Sequence, residues 1–444
     1  MHLRNLLQQQ NKHWDEGFKK YVPRDIFPQV FKALTTSRVV LALMGVRRAG
    51  KSVLVFQLIN GLLDKGIPSE NIFYLNFEDP FFVKNSASVE LLDSLFREYL
   101  SLKRPEGDKY VFLDEVQNVP SWEQWIRTKY DTCEDLRITI TGSNARLLSS
   151  ELATKLTGRT LSFEIFPFNF REYLLFKGQP HFSGETLRET YLSNLKEAPI
   201  ILGLFEQYLV EGGFPEALAS NDAEIRLRYL RDYIRAVIYT DIVPRFDFRS
   251  AEELEKLAYY LLTNLGNKYS YRSLARNVGI TDTSAKEYVS ALALSYLFFE
   301  VEKYSFKFKN RVRAAKRPYV IDPGLRSLFY SKPFDDVGKL VENAVFLHFI
   351  RGNEVNYLEE DGVDIDFLVT RPERTFYPVS VSYTDLLSER EYGVAEVSSL
   401  GLFSSLKEQL KTGLLLTRNV FDDSSEDFLT VPVWVLLLTP RSEI

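Results

Sequence analysis

The sequence predicts an α/β fold whose first part is a parallel β-sheet, and three apolar segments carry this prediction. Residues 38–44, 109–113 and 137–141 are rich in β-branched and aromatic residues, and each is followed by a glycine or an acid. The first segment leads through a short loop into an apolar pattern at helical spacing that continues to Leu63. Such a strand, loop and helix are typical of α/β proteins with a parallel sheet.

The loop after the first strand reads GVRRAGKS, which matches the phosphate-binding P-loop pattern between a strand and a helix. Gly45 and Gly50 let the backbone curl so that its N–H groups face phosphates, and the start of the helix adds a favourable partial charge. Lys51 is expected to reach the β- and γ-phosphates, and Ser52 to bind Mg²⁺. The alternative is a tight strand-to-helix turn without a ligand. We expect the nucleotide to contact Gly45, Val46, Arg47, Arg48, Ala49, Gly50, Lys51, Ser52 and Val53.

The second strand ends in two acids that complete a hydrolytic site in this prediction. Asp114 is expected to hold Mg²⁺ through water together with Ser52, and Glu115 to polarise the attacking water. The alternative is an apolar strand with solvated acids at its end. At the end of the third strand, Ser143 or Asn144 is expected to sense the γ-phosphate.

Arg159 is a further candidate catalytic residue, beside Lys51, Glu115 and Asn144. It follows a predicted short helix, far from the P-loop in sequence. An arginine at that separation could complete the site of a neighbouring subunit by stabilising charge in the transition state. The alternative is an ordinary surface arginine at the end of a helix.

These motifs resemble those of the AAA-type P-loop ATPases, a mostly archaeal and partly bacterial family that carries a C-terminal domain of unknown function. The resemblance covers nearly the whole chain and implies ATP and Mg²⁺ as cofactors. It also implies a ring or other oligomer in which Arg159 acts on a neighbouring subunit. Arg47 and Arg48 match the family's pattern without a firm role. The matching segments are GVRRAGKS (45–52), VFLDEVQNV (111–119), ITGSNARLLSSELATKLTGR (140–159), FPFNFREYL (166–174), EGGFPEA (211–217) and KRPYVIDPGL (316–325).

The composition is that of a globular protein without a membrane segment. The chain has 444 residues and a net charge of −5, and its apolar runs are far shorter than the roughly 18 residues that a membrane helix needs. A single cysteine, Cys133, excludes an intramolecular disulfide and a cysteine-based zinc cluster. We expect a cytoplasmic protein with no membrane contact, in which any nucleic-acid contact comes from a local basic patch.

After the ATPase, residues 166–249 have a helical pattern and residues 250–330 have the pattern of a winged helix. We expect the helices to form a lid that transmits the nucleotide state, with a passive spacer as the alternative. Two short helices, 271–278 and 282–296, flank a break at Gly279 and indicate a helix-turn-helix. Behind them, residues 298–322 alternate like a hairpin whose phase changes near Lys303.

The predicted hairpin carries a basic patch, because no acid lies between Lys303 and Arg317. The second helix offers only Lys286 as a basic residue, beside Asp282 and Glu287, and base recognition needs more suitable side chains than that. We therefore predict non-specific or structure-specific DNA binding, with a winged helix that contacts protein as the alternative. The expected DNA contacts are Lys286, Lys303, Lys307, Lys309, Arg311, Arg313, Lys316 and Arg317.

The C-terminal part, residues 331–444, is predicted to be a restriction-endonuclease-like α/β domain. A helix is followed by strands at 354–359, 363–369 and 376–382, a helix at 402–411 and strands at 413–417 and 431–438. In that fold a helix acid, here Glu342, a strand acid, here Asp366, and a Glu-x-Lys pair hold Mg²⁺ and orient water. Ser380 and Ser382 stand where the pair would be, so we expect no nuclease activity.

The prediction therefore divides the chain into an ATPase core (1–165), a helical lid (166–249), a winged helix (250–330) and a degenerate nuclease-like domain (331–444). The predicted function is Mg²⁺-dependent ATP hydrolysis coupled to binding and remodelling of DNA, such as branch migration or unwinding, by an oligomer. The alternative is a nucleotide-gated signalling or scaffold ATPase whose winged helix binds protein.

Overall fold

A computed structural model describes most of the chain in two compact units. The first unit comprises Met1–Phe166 with Leu294–Tyr296, and the second comprises Pro167–Ala293 with Leu297–Ile444. Each unit is built on a five-stranded sheet, and the second also contains a two-stranded one. The described residues are 3–143, 156, 158–246, 248, 250–329, 337–384, 393–397, 400, 403, 406 and 408–440.

The sheet of the first unit is parallel throughout, as predicted. Its strands are β1 (Val40–Met44), β2 (Ile72–Asn76), β3 (Lys109–Asp114), β4 (Leu136–Gly142) and β5 (Thr160–Glu164). Their order is β2-β3-β4-β1-β5, and every neighbouring pair is parallel. β1 is buried along its whole length, as expected for an interior strand of a parallel sheet covered on both faces. Because all strands run the same way, the P-loop after β1 and the acids after β3 lie at the same edge.

The helices of the first unit lie before β1 and in the connections between the strands. They are α1 (Leu3–Gln10), α2 (Phe27–Thr36), α3 (Lys51–Asp64), α4 (Pro80–Lys84), α5 (Val89–Lys103) and α6 (Trp122–Thr132), with 3₁₀ turns at Lys12–Trp14, Ser69–Asn71 and Val116–Asn118. The N-terminal segment is tied to β2, because the side chain of Asn11 exchanges two hydrogen bonds with the backbone of Tyr74. The residues before the P-loop are thus part of the ATPase fold.

The second unit begins with the helices that the sequence predicts for residues 166–249. They are α7 (Phe170–Phe176), α8 (Leu187–Ser193), α9 (Ala198–Glu211), α10 (Pro215–Leu218) and α11 (Ala223–Ala236), followed by a π-helix at Val237–Ile242 and a 3₁₀ turn at Val243–Arg245. Local signals set several boundaries: Asn169 forms a capping box with Glu172 at the start of α7, and Asp222 caps the start of α11.

Two motifs that are far apart in sequence meet around Asp322, which is fully buried. Its carboxylate accepts hydrogen bonds from the backbone N–H groups of Gly213 at 2.5 Å and Gly324 at 2.9 Å. A Cβ atom on Gly212 would lie 1.9 Å from Oδ1 of Asp322. Gly212 is therefore required sterically, because the aspartate closes over the turn, whereas a Cβ on Gly213 would lie 2.1 Å from the carbonyl oxygen of Phe168. A 3₁₀ helix, Pro323–Leu328, starts directly after Asp322.

Three helices precede the two-stranded sheet: α12 (Ala251–Thr263), α13 (Tyr271–Val278) and α14 (Asp282–Leu294). α13 has the predicted bounds and ends at Gly279, whose φ of 82° is the left-handed conformation that favours glycine. α14 begins where predicted and ends two residues earlier than the predicted Tyr296. The pair of short helices expected from the sequence is thus present.

The predicted continuous hairpin over residues 298–322 is wrong in its middle. Strands β6 (Phe298–Val301) and β7 (Arg317–Val320) pair antiparallel, but residues between them form the helix α15 (Phe308–Arg313). The segment is rich in lysine, arginine and alanine, which favour a helix. The alternation of aromatic and lysine residues before it suggested a strand, and that short pattern did not decide the conformation.

The second sheet has the order β12-β11-β10-β9-β8. β8 (Glu354–Glu360), β9 (Val363–Thr370) and β10 (Phe376–Val381) are antiparallel neighbours, and β10, β11 (Gly413–Thr417) and β12 (Phe428–Pro432) are parallel. The accompanying helices are α16 (Val337–Phe349), α17 (Gly393–Glu396) and α18 (Val433–Leu438).

The final apolar run corrects a second prediction. Residues 433–438, expected to continue a strand, form α18, whose residues are all buried. A run that is apolar on every side fits a buried helix as well as a buried strand, so its pattern could not separate the two. Of the helix expected at 402–411, four residues lie outside the described residues; the six described ones are not α-helical, and Leu410 forms an isolated β-bridge with Phe376. Across the described ranges, no helix is both long and apolar enough to cross a membrane.

Candidate nucleotide site

The P-loop has the backbone conformation that its two glycines allow. Gly45 has φ 152° and Gly50 has φ 95°, and both values lie in the region that side chains disfavour. A Cβ on Gly45 would lie 2.1 Å from the carbonyl oxygen of Ile165, the residue after β5. The first glycine therefore lets the loop pack against the neighbouring chain segment, and the second turns the loop into α3.

Lys51, the first residue of α3, lies inside the loop with 4% of its surface exposed. Its Nζ donates hydrogen bonds to the carbonyl oxygens of Gly45 at 3.1 Å and Val46 at 3.2 Å. The same atom lies 3.5 Å from Oε1 of Glu115. The predicted phosphate-binding cation and the predicted catalytic acid are thus neighbours at one edge of the sheet.

Asp114 is fully buried at the end of β3. Its carboxylate accepts hydrogen bonds from three hydroxyl groups, those of Tyr74 at 3.0 Å, Thr141 and Ser52. Burial, together with the nearby Glu115, raises the pKa of Asp114. A buried carboxylate whose partners are neutral is stabilised by a cation, and a carboxylate with a hydroxyl group is a donor set that suits Mg²⁺. Ser52 and Asp114 therefore fit the metal site predicted for them.

Glu115 differs from its neighbour in its electrostatic surroundings. Burial would raise the pKa of Glu115, but the Lys51 ammonium and a hydrogen bond from Gln117 outweigh burial and lower it. Its backbone has a left-handed φ of 53°, and its N–H donates to the hydroxyl of Thr141 at 2.9 Å. The side chain is therefore a positioned carboxylate that stays ionised, as activation of a water molecule requires.

Two of these positioning residues, Tyr74 and Thr141, were missed by sequence reasoning. Thr141 contacts both acids, since its hydroxyl donates to Asp114 and accepts the N–H of Glu115. A polar residue in the apolar strand 137–142 was the available signal for Thr141. Tyr74 offered none, because a tyrosine in a strand is ordinary core material.

The remaining loop residues have other surroundings. Nη1 of Arg47 forms an ion pair with Glu78 at 2.7 Å, and Arg48 has a left-handed φ of 65°. Ser143 is buried directly after β4. Asn144, the predicted γ-phosphate sensor, lies outside the described residues.

Arg159 lies at the opposite edge of the sheet from the P-loop. It immediately precedes β5, whose first residue, Thr160, pairs with Val40 at the start of β1, whereas the P-loop follows the end of β1. A five-residue strand spans roughly 16 Å, which is beyond the reach of an arginine side chain. The guanidinium forms an ion pair with Asp131 at 3.1 Å and lies over the ring of Tyr130. The side chain of Arg159 is therefore remote from the P-loop of its own chain.

The predicted basic patch is partly neutralised by acids from other segments. Lys316 forms an ion pair with Glu302, and Arg311 with Glu354 at 2.9 Å. Arg317 is buried, so its predicted role as a DNA contact is wrong. The count of basic residues in one segment overstated the charge of the surface because the compensating acids come from elsewhere in the chain. Lys286, Lys307, Lys309 and Arg313 are exposed, and Lys303 is half-buried.

Arg317 instead lies beside acids of residues 331–444, the segment predicted to be nuclease-like. Its guanidinium donates to Asp364 at 3.1 Å and to Asp366 at 3.4 Å. Glu342 accepts two hydrogen bonds from Lys339, at 2.7 and 2.9 Å, and burial with the nearby Asp366 raises the pKa of Glu342 to about 7. Cations of the chain itself therefore accompany both acids. Among the described residues, no group of three or more acidic, histidine or cysteine side chains could hold a metal ion.

Comparison with known proteins agrees with this geometry. Residues 37–174 match the family model of the AAA domain, and residues 202–332 match a domain of unknown function, DUF8612. An uncharacterised protein of Methanocaldococcus jannaschii is 30% identical over 413 residues, covering 89% of this chain and 87% of that protein. An uncharacterised protein of Haemophilus influenzae is 27% identical over 372 residues, covering 81% and 86%. The Walker-type ATPase of Pyrococcus abyssi aligns at 16% identity with a TM-score of 0.43, covering 71% of this chain and 99% of that one.

The parallel sheet, the P-loop and the adjacent acids, together with the AAA domain match, define an AAA-type P-loop ATPase. The chain belongs to the family of these ATPases that includes the M. jannaschii protein, to which it is similar over most of both lengths. It is therefore an enzyme that binds and hydrolyses nucleotide.

Proposed function

We propose that ATP is hydrolysed at the edge of the first sheet by Lys51 and Glu115, with Ser52 and Asp114 as the ligands of Mg²⁺. The observation that supports this most directly is the 3.5 Å approach of Lys51 to Glu115 beside the buried Asp114. Lys51 attracts the β- and γ-phosphates, and the N–H groups of residues 45–53 line the same loop. A bound Mg²⁺ neutralises phosphate charge. Glu115 accepts a hydrogen bond from the attacking water and orients it.

Two variants test these roles separately. Lys51→Ala should lose ATP binding, because the loop loses its cation. Glu115→Gln should bind ATP but hydrolyse it about 100-fold more slowly or worse, since the amide cannot take a proton. Steady-state phosphate release and binding of a fluorescent ATP analogue measure the two effects. Glu98→Gln, in a surface ion pair with Arg4, is the control. Hydrolysis by Glu115→Gln at the wild-type rate would remove the proposed base.

We further propose that hydrolysis is coupled to binding and remodelling of DNA by the second unit. Residues 250–330 would form a winged helix, with α13 and α14 as the helix-turn-helix and the segment between β6 and β7 as the wing. The exposed cations Lys307, Lys309 and Arg313 of this segment support contacts with phosphates. Such contacts carry no sequence preference, so binding would be non-specific or selective for DNA structure.

The test is ATP turnover with no DNA, duplex DNA, single strands and four-way junctions, with Lys51→Ala as the blank. Stimulation by one form supports coupling and identifies its substrate. Turnover that ignores every form contradicts coupling. That result would favour the alternative of a nucleotide-gated switch whose winged helix binds protein. The ion pairs of Arg311 and Lys316 favour this alternative, because they reduce the charge available for phosphates.

We also propose that the protein works as an oligomer in which Arg159 completes a neighbouring site. The position of Arg159 at the edge opposite its own P-loop supports a role between chains. Arg159→Ala and Lys51→Ala subunits should each be inactive alone. When mixed, they should regain part of the activity, because an intact P-loop can then meet an intact arginine. No recovery at any mixing ratio would contradict the proposal.

For the remaining segments, we propose that residues 166–249 act as a lid and that residues 331–444 have a restriction-endonuclease-like fold without cleavage activity. The mixed sheet β8–β12 with α16 beside it supports that fold. The paired state of Glu342 and Asp366, with Ser380 and Ser382 in place of a third acid and a lysine, supports the loss of cleavage. DNA that stays intact during incubation with Mg²⁺ and the purified protein is the expected result.

A further inference from the structure

Arg24 is a buried cation that the site described so far does not use. It lies in the segment before α2, is 4% exposed, and donates two hydrogen bonds through its guanidinium. Nη1 donates to the carbonyl oxygen of Ala49 in the P-loop at 2.9 Å, and Nη2 donates to the carbonyl oxygen of Phe166 at 2.5 Å. One side chain thus joins the P-loop to the segment that follows β5.

The bond to Ala49 fixes the orientation of one peptide group in the loop. The carbonyl of Ala49 and the N–H of Gly50 belong to the same planar peptide, in which the two groups point in opposite directions. Because Arg24 holds the carbonyl on its own side, the N–H of Gly50 points away from Arg24. The loop N–H groups are the donors that bind phosphate in a P-loop.

The loop is therefore held against the segment after β5 at both ends. At its start, Gly45 packs so closely on Ile165 that a Cβ would lie 2.1 Å from the carbonyl oxygen of Ile165. At its end, Arg24 connects Ala49 to Phe166, and a Cβ on Gly50 would lie 3.0 Å from Nη1 of Arg24. Residues 165–166 thus form a backing against which the loop keeps its curvature.

The contact also explains why the residue is arginine. A guanidinium presents several N–H donors in a rigid fork and can hold two carbonyl groups at a fixed separation. The ammonium of a lysine also has several N–H donors, but they share one atom on a flexible chain, so it would hold the two carbonyl groups at a less fixed separation.

We propose that Arg24 is a positioning residue of the ATPase, which presets the Ala49–Gly50 peptide so that its N–H is directed towards the phosphates of the nucleotide. The proposal rests on the assignment of residues 45–53 as the phosphate-binding loop. Arg24 acts through the loop backbone, so its loss weakens binding of ATP and ADP together. Hydrolysis of the nucleotide that still binds is less affected, because Lys51, Asp114 and Glu115 stay in place.

Arg38 offers a matched control in the same unit. Its Nη2 donates to the backbone carbonyl oxygens of Tyr130 at 2.5 Å and Cys133 at 3.1 Å. Arg38 precedes β1, at the edge of the sheet opposite the P-loop. Arg38→Ala therefore removes a side chain with the same kind of contacts, at a place where only stability should change.

The experiment compares Arg24→Ala, Arg24→Lys, Arg38→Ala and Lys51→Ala with the wild type. Titration with fluorescent N-methylanthraniloyl ATP and ADP gives affinities, phosphate release gives KM and kcat, and thermal denaturation gives stability. For Arg24→Ala we expect Kd and KM to rise about 10-fold or more, as for the removal of a hydrogen bond to a charged ligand. Arg24→Lys should fall between Arg24→Ala and the wild type, and it carries the test if Arg24→Ala does not fold.

The readout that separates positioning from mere stability is rescue by guanidinium. Millimolar guanidinium should restore nucleotide affinity to Arg24→Ala, because the free ion can occupy the space between the two carbonyl groups, and should not restore it to Lys51→Ala. Arg38→Ala should lose stability yet keep Kd within about two-fold of the wild type.

Three outcomes would overturn the proposal. If Arg24→Ala binds nucleotide like the wild type while Lys51→Ala does not, the loop assignment stands and the role of Arg24 is wrong. If Arg24→Ala and Arg38→Ala lose affinity equally and guanidinium rescues neither, Arg24 is only structural. If Lys51→Ala binds and hydrolyses ATP normally, the loop assignment fails and the role of Arg24 fails with it.

Discussion

Thr141 is the residue that couples the two acids of the nucleotide site, since its single hydroxyl contacts the side chain of Asp114 and the backbone N–H of Glu115. A threonine two positions earlier in the same strand, Thr139, is also buried but has no hydrogen-bond partner for its hydroxyl. The sequence shows two equivalent threonines in the run ITITG. Only the positions of Asp114 and Glu115 in the fold show that the hydroxyl of Thr141 contacts the site and that the hydroxyl of Thr139 does not.

We expect Thr141→Val to lower kcat about 10- to 100-fold, because both acids lose a hydrogen bond that orients them. The free energy of unfolding should fall by about 1–3 kcal/mol, since the N–H of Glu115 becomes unsatisfied. Phosphate release and urea denaturation measure the two changes. Thr139→Val, which removes no hydrogen bond, is the control and should keep the wild-type kcat. Equal kcat for both variants would contradict the role of Thr141.

Arg317 was predicted to contact DNA, but in the structure its positive charge pairs with acids of the same chain. It belongs to a basic run in the sequence, but its side chain is 6% exposed and its guanidinium faces Asp364 and Asp366. In the nuclease-like arrangement that the sequence predicts, a strand acid such as Asp366 would face a divalent cation. In this chain the guanidinium of Arg317 supplies the positive charge beside Asp364 and Asp366.

Arg317→Met should lower the free energy of unfolding by about 2–4 kcal/mol, because it leaves the partly buried Asp366 without its cation. Adding Asp366→Asn should recover part of the loss, since the unpaired charge is then removed as well. Urea denaturation of both variants measures the coupling. Arg313→Met, at an exposed position, should be nearly neutral. An Arg317→Met protein as stable as the wild type would show that Asp366 does not depend on this cation.

At the scale of elements, the turn between α9 and α10 depends on a carboxylate from a distant segment. Asp322 accepts hydrogen bonds from Gly213 and Gly324, and burial raises its pKa from 3.8 to about 7. Both backbone donors lower this pKa, but burial outweighs them. The sequence displayed GGFP as a helix stop, yet the aspartate that closes the turn is more than 100 residues away (322 − 213 = 109).

This raised pKa predicts a pH dependence of stability. Between about pH 4 and pH 7 the folded protein keeps a proton on Asp322 that the unfolded chain has lost, so the free energy of unfolding falls as the pH rises. Below this window both states are protonated and the stabilisation is complete. Above about pH 7, the contribution of Asp322 to the free energy of unfolding is lower by about 2–4 kcal/mol. Wild-type stability minus that of Asp322→Asn, measured by denaturation at pH 5 and pH 8, should therefore decrease at the higher pH.

Asp423→Asn, at a surface position paired with Arg188, is the control and should follow the wild-type profile. If the stability of Asp322→Asn changed with pH as much as that of the wild type, Asp322 would not be the group that titrates.

The elements that the sequence misassigned share a cause. α15 and α18 are short segments of six residues each, and a run of that length completes fewer than two helical turns. Its hydrophobic pattern is therefore too short to show a helical period. Whether such a segment forms a helix or a strand depends on the residues that pack around it. The helices α3, α9, α13 and α14 are longer than these six-residue segments, and they were predicted because their apolar spacing or their caps extend over a larger window.

At the scale of the whole molecule, the balance of charge limits how DNA could be bound. A chain with a net charge of −5 repels phosphates except where cations are concentrated and unpaired. In the described part of the second unit, the exposed cations of the α15 segment are the best candidates for such a place. The neighbouring Arg311 is paired with Glu354 and Glu302, which makes it a useful contrast within the same helix.

We expect the triple variant Lys307→Gln, Lys309→Gln, Arg313→Gln to weaken DNA binding. Its salt dependence should flatten by up to about three units in the logarithmic slope, because each of the three cations would neutralise one phosphate in the wild type. ATP turnover without DNA should be unchanged. Arg311→Gln, the control, should alter the slope little. Fluorescence anisotropy with labelled duplex and junction DNA at several salt concentrations measures the slopes, and equal slopes for the triple variant and the wild type would place the DNA-binding surface elsewhere.

The sequence by itself determined the parallel sheet, the P-loop and the acid pair after β3, because these depend on short patterns with a fixed local geometry. It also determined the helices with clear caps, such as α13 between Ser270 and Gly279. The tertiary structure decided which polar groups meet: Thr141 with both acids, Arg24 with Ala49 and Phe166, Asp322 with Gly213, and Arg317 with Asp366. The physical reason is that each of these interactions joins residues distant in sequence, and their energies depend on burial and separation, which no local pattern encodes.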